Sequence, residues 1–320
     1  MTKRMNIACA SNEKYLRYTY TMLTSLLENN RDSHVHVYFL FGDIKEDKLS
    51  IFEELEKNYD VSIECCQITE DMISSKLPCN KEWTIEVYYR LALGDLLPLS
   101  EDRVLYLDVD MIIHKNLQDF YFQDFEGKAL VACPDMSALD GLTGTQAQLF
   151  APMLSDPFFQ YFNSGMVLFN LDWIRQEGIF LKQYMDIALT IPLTAVDQDL
   201  LNFVYYGKVK YADYHIYNLF AKQAFNSGRH YDDLKATVAI LHFAGRKPWS
   251  GEGIRYDVEK LWWDYARKTP FYVEFLEELL YNEMESNFIE QEMRKMQNEK
   301  SKLMGLLQKC AEELNKQGSL

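Results

Sequence analysis

Long hydrophobic runs are missing from this chain of 320 residues. No stretch approaches the roughly 18 apolar residues that a membrane-spanning helix requires, so no transmembrane anchor is expected. Positive charge is also in short supply: 33 Lys and Arg stand against 48 Asp and Glu, a formal net charge of -15. Such a surface repels phosphate backbones and anionic headgroups, which sets nucleic-acid binding aside as a function class. Cysteine is sparse and unpatterned. Cys9, Cys65, Cys66, Cys79, Cys133 and Cys310 contain no CxxC pair, and their mostly apolar flanks predict packing roles in a reducing compartment. The opening "MTKRMNIACA" holds no apolar stretch of signal-peptide length. A cytoplasmic location is the resulting expectation.

What the sequence does hold is an alternation of short apolar runs with helix-length amphipathic segments, the pattern of an α/β protein with a mostly parallel sheet flanked by helices. "MNIACA", "VHVYFLF" and "VSIECCQI" read as strands, separated by helices at "YLRYTYTMLTSLLENN" and "KEDKLSIFEELEKNY". "IEVYYRLALGDLL" reads as a further helix, "RVLYL", "ALVACP", "SGMVLFNL" and "TVAILHFAG" as further strands, and "DQDLLNFVYYG" and "VEKLWWDYARK" as helices. Residues 1–270 are expected to form the catalytic domain and 271–320 a helical tail. In that tail Ile289, Met293, Met296, Lys300, Leu303, Leu307, Cys310 and Leu314 alternate spacings of four and three, a heptad seam interrupted by Ser286 and Lys300. Two arrangements fit it: packing on its own domain, or a homodimer through the C-terminal helix. With 10 acidic and 6 basic residues in 271–320, a membrane-surface anchor is not expected.

The chemistry concentrates at strand ends. In "RVLYLDVDMII", Asp108 and Asp110 follow an apolar run two positions apart, so both carboxylates can face one ligand at the mouth of a strand. Two carboxylates held this close repel unless a cation lies beside them, and hard oxygen ligands suit Mg2+ or Mn2+. A solvated turn is the plainer alternative; the seat after "VLYL" favours the metal. His242 ends another apolar strand, in "VAILHFAGRKPW", where it serves either as a structural residue or as a further ligand. Gly245 allows the backbone to approach a ligand, and Lys247 supplies a compact charge suited to phosphate.

Four motifs, "LYLDVDMIIHKNL", "FNSGMVLFNLDWIR", "VDQDLLN" and "HFAGRKPW", occur in this order, and over roughly residues 5 to 255 the chain resembles glycosyltransferase family 8. That family includes bacterial lipooligosaccharide galactosyltransferases and glycogenin. The resemblance implies a GT-A fold, a UDP-sugar donor, Mn2+ (or Mg2+), and retention of configuration at the anomeric carbon. It implies that Asp108, Asp110 and His242 bind the metal and that Lys247 contacts the diphosphate. It places Ala10, Asn12 and Tyr15 at the uridine, Arg90, Asn163, Asp197 and Gln198 at the donor sugar, and Asp135 on the acceptor side. Read singly, Arg90 is also compatible with a helix-face ion pair, Asn163 with a turn cap before Gly165, and "DQD" with an acidic first helical turn.

Two features depart from the family pattern. Asn12 stands where Asp is more common, which keeps an acceptor for the uracil imide but loses its charge. One residue fewer separates Gly245 from Lys247, so either Arg246 or Lys247 meets the diphosphate. Gln198 is a poor nucleophile, and a front-side attack by the acceptor hydroxyl is therefore expected in place of double displacement. The partners implied are a UDP-hexose donor and a glycan, lipid-linked sugar or glycoprotein acceptor, with "DMSALDGLTGTQAQLFAPMLSDPFFQ" as a mobile lid on the acceptor side. Two other function classes remain compatible with the paired carboxylates: a nucleotidyltransferase, although "ACASNEKY" lacks a Gly-rich basic phosphate loop, and a sugar-nucleotide-binding interaction protein built around the tail.

Overall fold

Residues that alternate between two apolar faces make strands buried on both sides, and the first strands follow that rule. The computed structural model describes residues 4–69, 71–73, 76–79, 83–138, 141–250, 256–285 and 288–317. Among them β1 (Arg4–Ala10), β2 (His34–Phe41), β3 (Val61–Gln67), β4 (Arg103–Leu107), β6 (Leu130–Pro134), β7 (Phe162–Asn170) and β8 (Val209–Tyr211) form one seven-stranded sheet in the order β3-β2-β1-β4-β7-β6-β8. Along β1, Met5, Ile7 and Cys9 enter the core on one face, while Ala8 and Ala10 enter the core on the other. The β1–β2, β2–β3, β1–β4 and β6–β8 pairs are parallel, and β7 alone runs against its two neighbours. The sheet is thus the mixed, mostly parallel one the pattern predicts.

A second sheet of three short strands, β5 (Met111–Ile113), β10 (Ile240–His242) and β9 (Leu219–Phe220), lies in the order β5-β10-β9. Strands of two or three residues carry no readable periodicity, so neither β8 nor β9 is visible in the sequence. The helix Leu16–Asn29 anchors this small sheet with polar side chains. Ser25 Oγ accepts a hydrogen bond from Ile113 N at 3.0 Å, and Asn29 Nδ2 donates to Ile113 O at 3.0 Å. Asn30 Oδ1, one residue past the helix, accepts from Leu117 N at 2.8 Å. The strand that follows Asp110 is therefore pinned by side chains as well as by its ladder.

The segment "IEVYYRLALGDLL" is helical but winds as a 3-10 helix over Ile85–Ala92 before a single α-turn at Leu93–Leu96. Eight residues are long for this winding, and its tighter pitch buries Tyr88, Tyr89 and Arg90 in succession. Cys9 and Cys133 are buried as expected of packing thiols, whereas Cys65 and Cys79 are exposed. Packing does not explain those two. Cys65 lies on β3, which forms the outer edge of the large sheet.

The chain divides into two compact units, one comprising Met1–Gly245 with Tyr256–Phe271 and the other Arg246–Arg255 with Tyr272–Leu320. Within the second unit, helices span Tyr272–Glu285 and Phe288–Gln317. On the heptad seam Met293, Met296, Leu303 and Leu307 are 52–61% exposed. Ser286, one of the two interruptions of that seam, lies outside the described residues. No described helix is long and apolar enough to cross a membrane.

Candidate active site

The site begins where the chain leaves one sheet for the other. β4 ends at Leu107 and β5 begins at Met111, so Asp108, Val109 and Asp110 form the link between them. In the large sheet β1 has β2 on one side and β4 on the other, and the crevice beyond such a reversal is where open α/β sheets bind ligands. Asp108 N donates to Gly165 O at 2.7 Å, which extends the β4–β7 ladder by one residue and fixes the first carboxylate.

His242 reaches Asp110 through strand register. β10 runs antiparallel to β5, pairing His242 with Met111, and Phe243 N donates to Asp110 O at 2.9 Å. Asp108, Asp110 and His242 each offer a ligand atom within 4.8 Å of the others, with His242 Nε2 3.2 Å from Asp110 Oδ1. Two carboxylates and one imidazole are a donor set suited to Mn2+, and to Mg2+ with less preference for the nitrogen. Gly165 leaves the space. A Cβ there would stand 2.6 Å from Asp108 Oδ2, 2.8 Å from His242 Cε1 and 2.9 Å from Asn163 Oδ1.

Arg90 crosses beneath this cluster. Its guanidinium donates to Asp108 Oδ1 at 2.9 Å, to Ser164 O at 2.5 Å and to Val87 O at 3.0 Å, and it lies over the Tyr106 ring at 4.1 Å. Arg90 Nε is also 3.2 Å from Asp197 Oδ2, an ion pair without a directed hydrogen bond because that N–H points to Val87. Both side chains are nearly buried, at 3% for Arg90 and 4% for Asp197. Burial pushes the Asp197 carboxyl up to about 6, with the Asp108 charge adding to it and Arg90 opposing it. Burial alone works against the Arg90 charge, but Asp108 and Asp197 outweigh it and hold the guanidinium's pKa above its ordinary value. The helix-face ion pair expected of Arg90 therefore exists, as a buried junction of two carboxylates.

The remaining residues expected at the donor sugar and on the acceptor side meet one another. Asn163 Nδ2 donates to Gln198 Oε1 at 2.9 Å and to Asp135 Oδ2 at 3.2 Å, and Gln198 Nε2 donates to Asp135 Oδ2 at 3.0 Å. Ser164 N also donates to Gln198 Oε1, at 3.0 Å. Asn163 Oδ1 accepts from Gly165 N at 3.1 Å, but both residues lie inside β7, so Asn163 caps no turn there. Asp197 and Asp199 lie in the first turn of the helix Val196–Val204. Asp199 Oδ2 accepts from Thr194 N and Ala195 N at 2.6 and 2.7 Å, and Oδ1 accepts from Tyr161 OH at 2.6 Å. This clamp holds Val196 at φ +35°, a left-handed conformation costly for a β-branched residue. The strain sets the start of the helix, from which Asp197 and Gln198 reach their partners.

At the end of β1, Ala8 pairs with Tyr106, so continuing the parallel register sets Ala10 beside Asp108. Among the described residues Asn12 Oδ1 is buried without a hydrogen-bond partner, an acceptor of the kind a uracil imide would satisfy. Tyr15 N donates to Asn12 O at 3.0 Å, and the Tyr15 ring meets Tyr18 edge-on at 5.4 Å. Gly245 has φ +84°, a conformation glycine adopts readily. Arg246 and Lys247 fall in the second unit, and the arrangement described is that of the first unit alone. Of the segment expected to form a lid on the acceptor side, residues 139 and 140 lie outside the described residues; the rest includes a helix at Gly144–Phe150 and an exposed Phe158. Two contributors escaped the sequence. Asn218 touches His242, and no pattern marks it; Gly165 did carry a signal, since a glycine inside an apolar strand indicates a close approach.

A sequence model of the family described as "Glycosyl transferase family 8" matches residues 6–253. The lipopolysaccharide 1,3-galactosyltransferase of Salmonella typhimurium is 27% identical over 256 residues, covering 78% of this chain and 74% of the relative. A lipopolysaccharide 1,2-glucosyltransferase of Escherichia coli is 24% identical, covering 76% and 73%. Among solved structures, the galactosyltransferase LgtC in complex with donor and acceptor sugar analogues superposes with a TM-score of 0.68 at 23% identity, covering 83% of this chain and 96% of that one. That likeness establishes the shared GT-A fold.

Proposed function

The chain belongs to glycosyltransferase family 8, and from that premise we propose that it moves a hexose from a UDP-sugar to a hydroxyl of a saccharide or glycoconjugate. Transfer depends on a divalent cation and retains configuration at the anomeric carbon. The observation that carries this proposal is the convergence of Asp108, Asp110 and His242 within 4.8 Å at the mouth of β4. When bound there, the cation supplies Lewis acidity and neutralises charge on the departing diphosphate.

The chain's own residues do the rest. Asn12 accepts from the uracil imide, with Ala10 and Tyr15 beside it, and Arg90 holds Asp108 through one oxygen so that the other faces the ligand. Gly245, at φ +84°, lets the backbone approach the diphosphate. Gln198 is not positioned as a nucleophile, because its oxygen already accepts from Asn163 and Ser164 and its nitrogen donates to Asp135. Asp197 is buried against Arg90. The acceptor hydroxyl therefore attacks on the face the leaving group departs from: its oxygen bonds to the anomeric carbon, the carbon–phosphate oxygen bond breaks, and the proton passes to the phosphate.

Relatives named for lipopolysaccharide support a glycan or lipid-linked sugar as acceptor, with a glycoprotein as the further alternative, and a cytoplasmic location is proposed alongside. Galactosyl and glucosyl transferases both occur among them, so the hexose is open between these. The exposed heptad face supports self-association of residues 271–320, with residues 1–270 as the catalytic part.

A panel of UDP-sugars with Mn2+, followed for slow hydrolysis without acceptor, tests the proposal. Asp110→Asn is expected to lower the turnover by at least about 10²-fold. Undiminished turnover in that variant would remove the metal assignment, and a sugar found covalently attached to Asp197 or Gln198 by mass spectrometry would replace the front-side mechanism.

A further inference from the structure

The hydrogen-bond directions around His242 can be fixed without assuming any side-chain amide orientation. Gly165 N is a backbone donor and can only donate, so the Asn163 atom it meets at 3.1 Å is the oxygen. Asn163 Oδ1 also faces an atom of the Asn218 carboxamide at 2.9 Å, and since an oxygen must receive, that atom is Asn218 Nδ2. The other end of the same carboxamide is then Oδ1, and it lies 2.9 Å from His242 Nδ1. An acceptor at that place requires the proton on Nδ1. A neutral His242 therefore carries its lone pair on Nε2, which is 3.2 Å from Asp110 Oδ1. Ser164 N fixes the neighbouring Gln198 in the same way, so two backbone N–H groups set the polarity of the whole carboxamide chain.

Two acceptors facing each other at this distance repel unless a cation or a proton stands at them. Asn218 is fully buried and His242 is 3% exposed, so water does not take over the Nδ1 bond. We infer that Asn218 is a positioning residue: it locks His242 in the tautomer that turns Nε2 toward Asp110, and it does so because Gly165 and Asn163 leave its carboxamide one orientation. The inference rests on the proposed cation site and extends it to a residue that touches neither cation nor sugar. Hydrogen-bonded partners of this kind orient a metal-ligating imidazole and raise its basicity.

The test has two parts. Nitrogen NMR of histidine-labelled, metal-free protein above pH 8 reports the tautomer directly, with His242→Asn assigning the signal among the six histidines of the chain. The expected result is a protonated Nδ1 and a bare Nε2, and a signal from the opposite tautomer overturns the inference. Mn2+ affinity is then read by electron paramagnetic resonance of the free ion. Asn218→Ala is expected to weaken binding roughly 10- to 100-fold and to mix the two tautomers in the histidine spectrum. Equal affinity of the alanine variant and the parent, or an alanine variant that keeps the parent's single tautomer, overturns it. Should Asn218→Ala not fold, the tautomer measurement on the parent still decides. Absence of Mn2+ binding in the parent itself would count against the cation site, a distinct outcome, while the tautomer is measured without metal.

Discussion

Arg90→Met is expected to destabilise the fold by about 3–5 kcal/mol and to abolish transfer, because it leaves a buried charge cluster without its cation. Asp197 is nearly as buried as Arg90, and Asp108 and Asp197 both rely on the one guanidinium. With Arg90 gone, the largest opposition to the burial that already pushes Asp197 up to about 6 is lost, and the carboxyl is driven further toward its protonated form. Urea denaturation of the variant measures the loss. Arg90→Lys separates the stabilising from the orienting part of the role. Its ammonium restores a charge but cannot serve Asp108, Ser164 and Val87 through a planar fork. It should recover part of the stability while activity stays about 10²-fold down, since the carboxylate it should orient is misplaced. Recovery of full activity by lysine would show that only charge matters.

Gly165→Ala is the second large effect. The position is a strand interior with no left-handed requirement, so the argument is purely steric. A methyl group 2.6 Å from Asp108 Oδ2 and 2.8 Å from His242 Cε1 overlaps both at once. Neither neighbour moves freely, because Arg90 holds Asp108 and Asn218 holds His242. The cost is about 1–3 kcal/mol of overpacking, and the larger consequence is functional: the three ligand atoms separate and transfer falls by about 10²-fold or more. A variant that keeps parental Mn2+-dependent turnover would mean that the cluster does not need its present spacing. Melting curves alongside the assay separate loss of fold from loss of the site.

What the sequence made legible follows from the range of the interactions involved. Apolar runs such as "VHVYFLF" and "VLYL" are strands because their own residues demand burial on both faces, and that demand is local. The direction of β7 and the existence of a second sheet depend on which strands meet, and short strands such as Leu219–Phe220 carry almost no local signal. In the site, Asp108 and Asp110 were visible because charge directly after an apolar run is anomalous. His242 was visible because it ends another such run. Asn218 was not, since an asparagine between "HIY" and "LF" is unremarkable until His242 lies 2.9 Å from it. Arg90, Asn163 and Gln198 are named through the family resemblance; the ion pair of Arg90 and the helix-start place of Gln198 are part of the same network, while Asn163 lies in a strand and caps no turn.

Calorimetric titration of the chain with UDP, with and without Mn2+, tests the central claim most directly. Binding that strengthens at least about tenfold with Mn2+ in the parent and loses that gain in Asp110→Asn is the predicted result. UDP binding that is indifferent to the metal, or a metal effect that survives in Asp110→Asn, would contradict it.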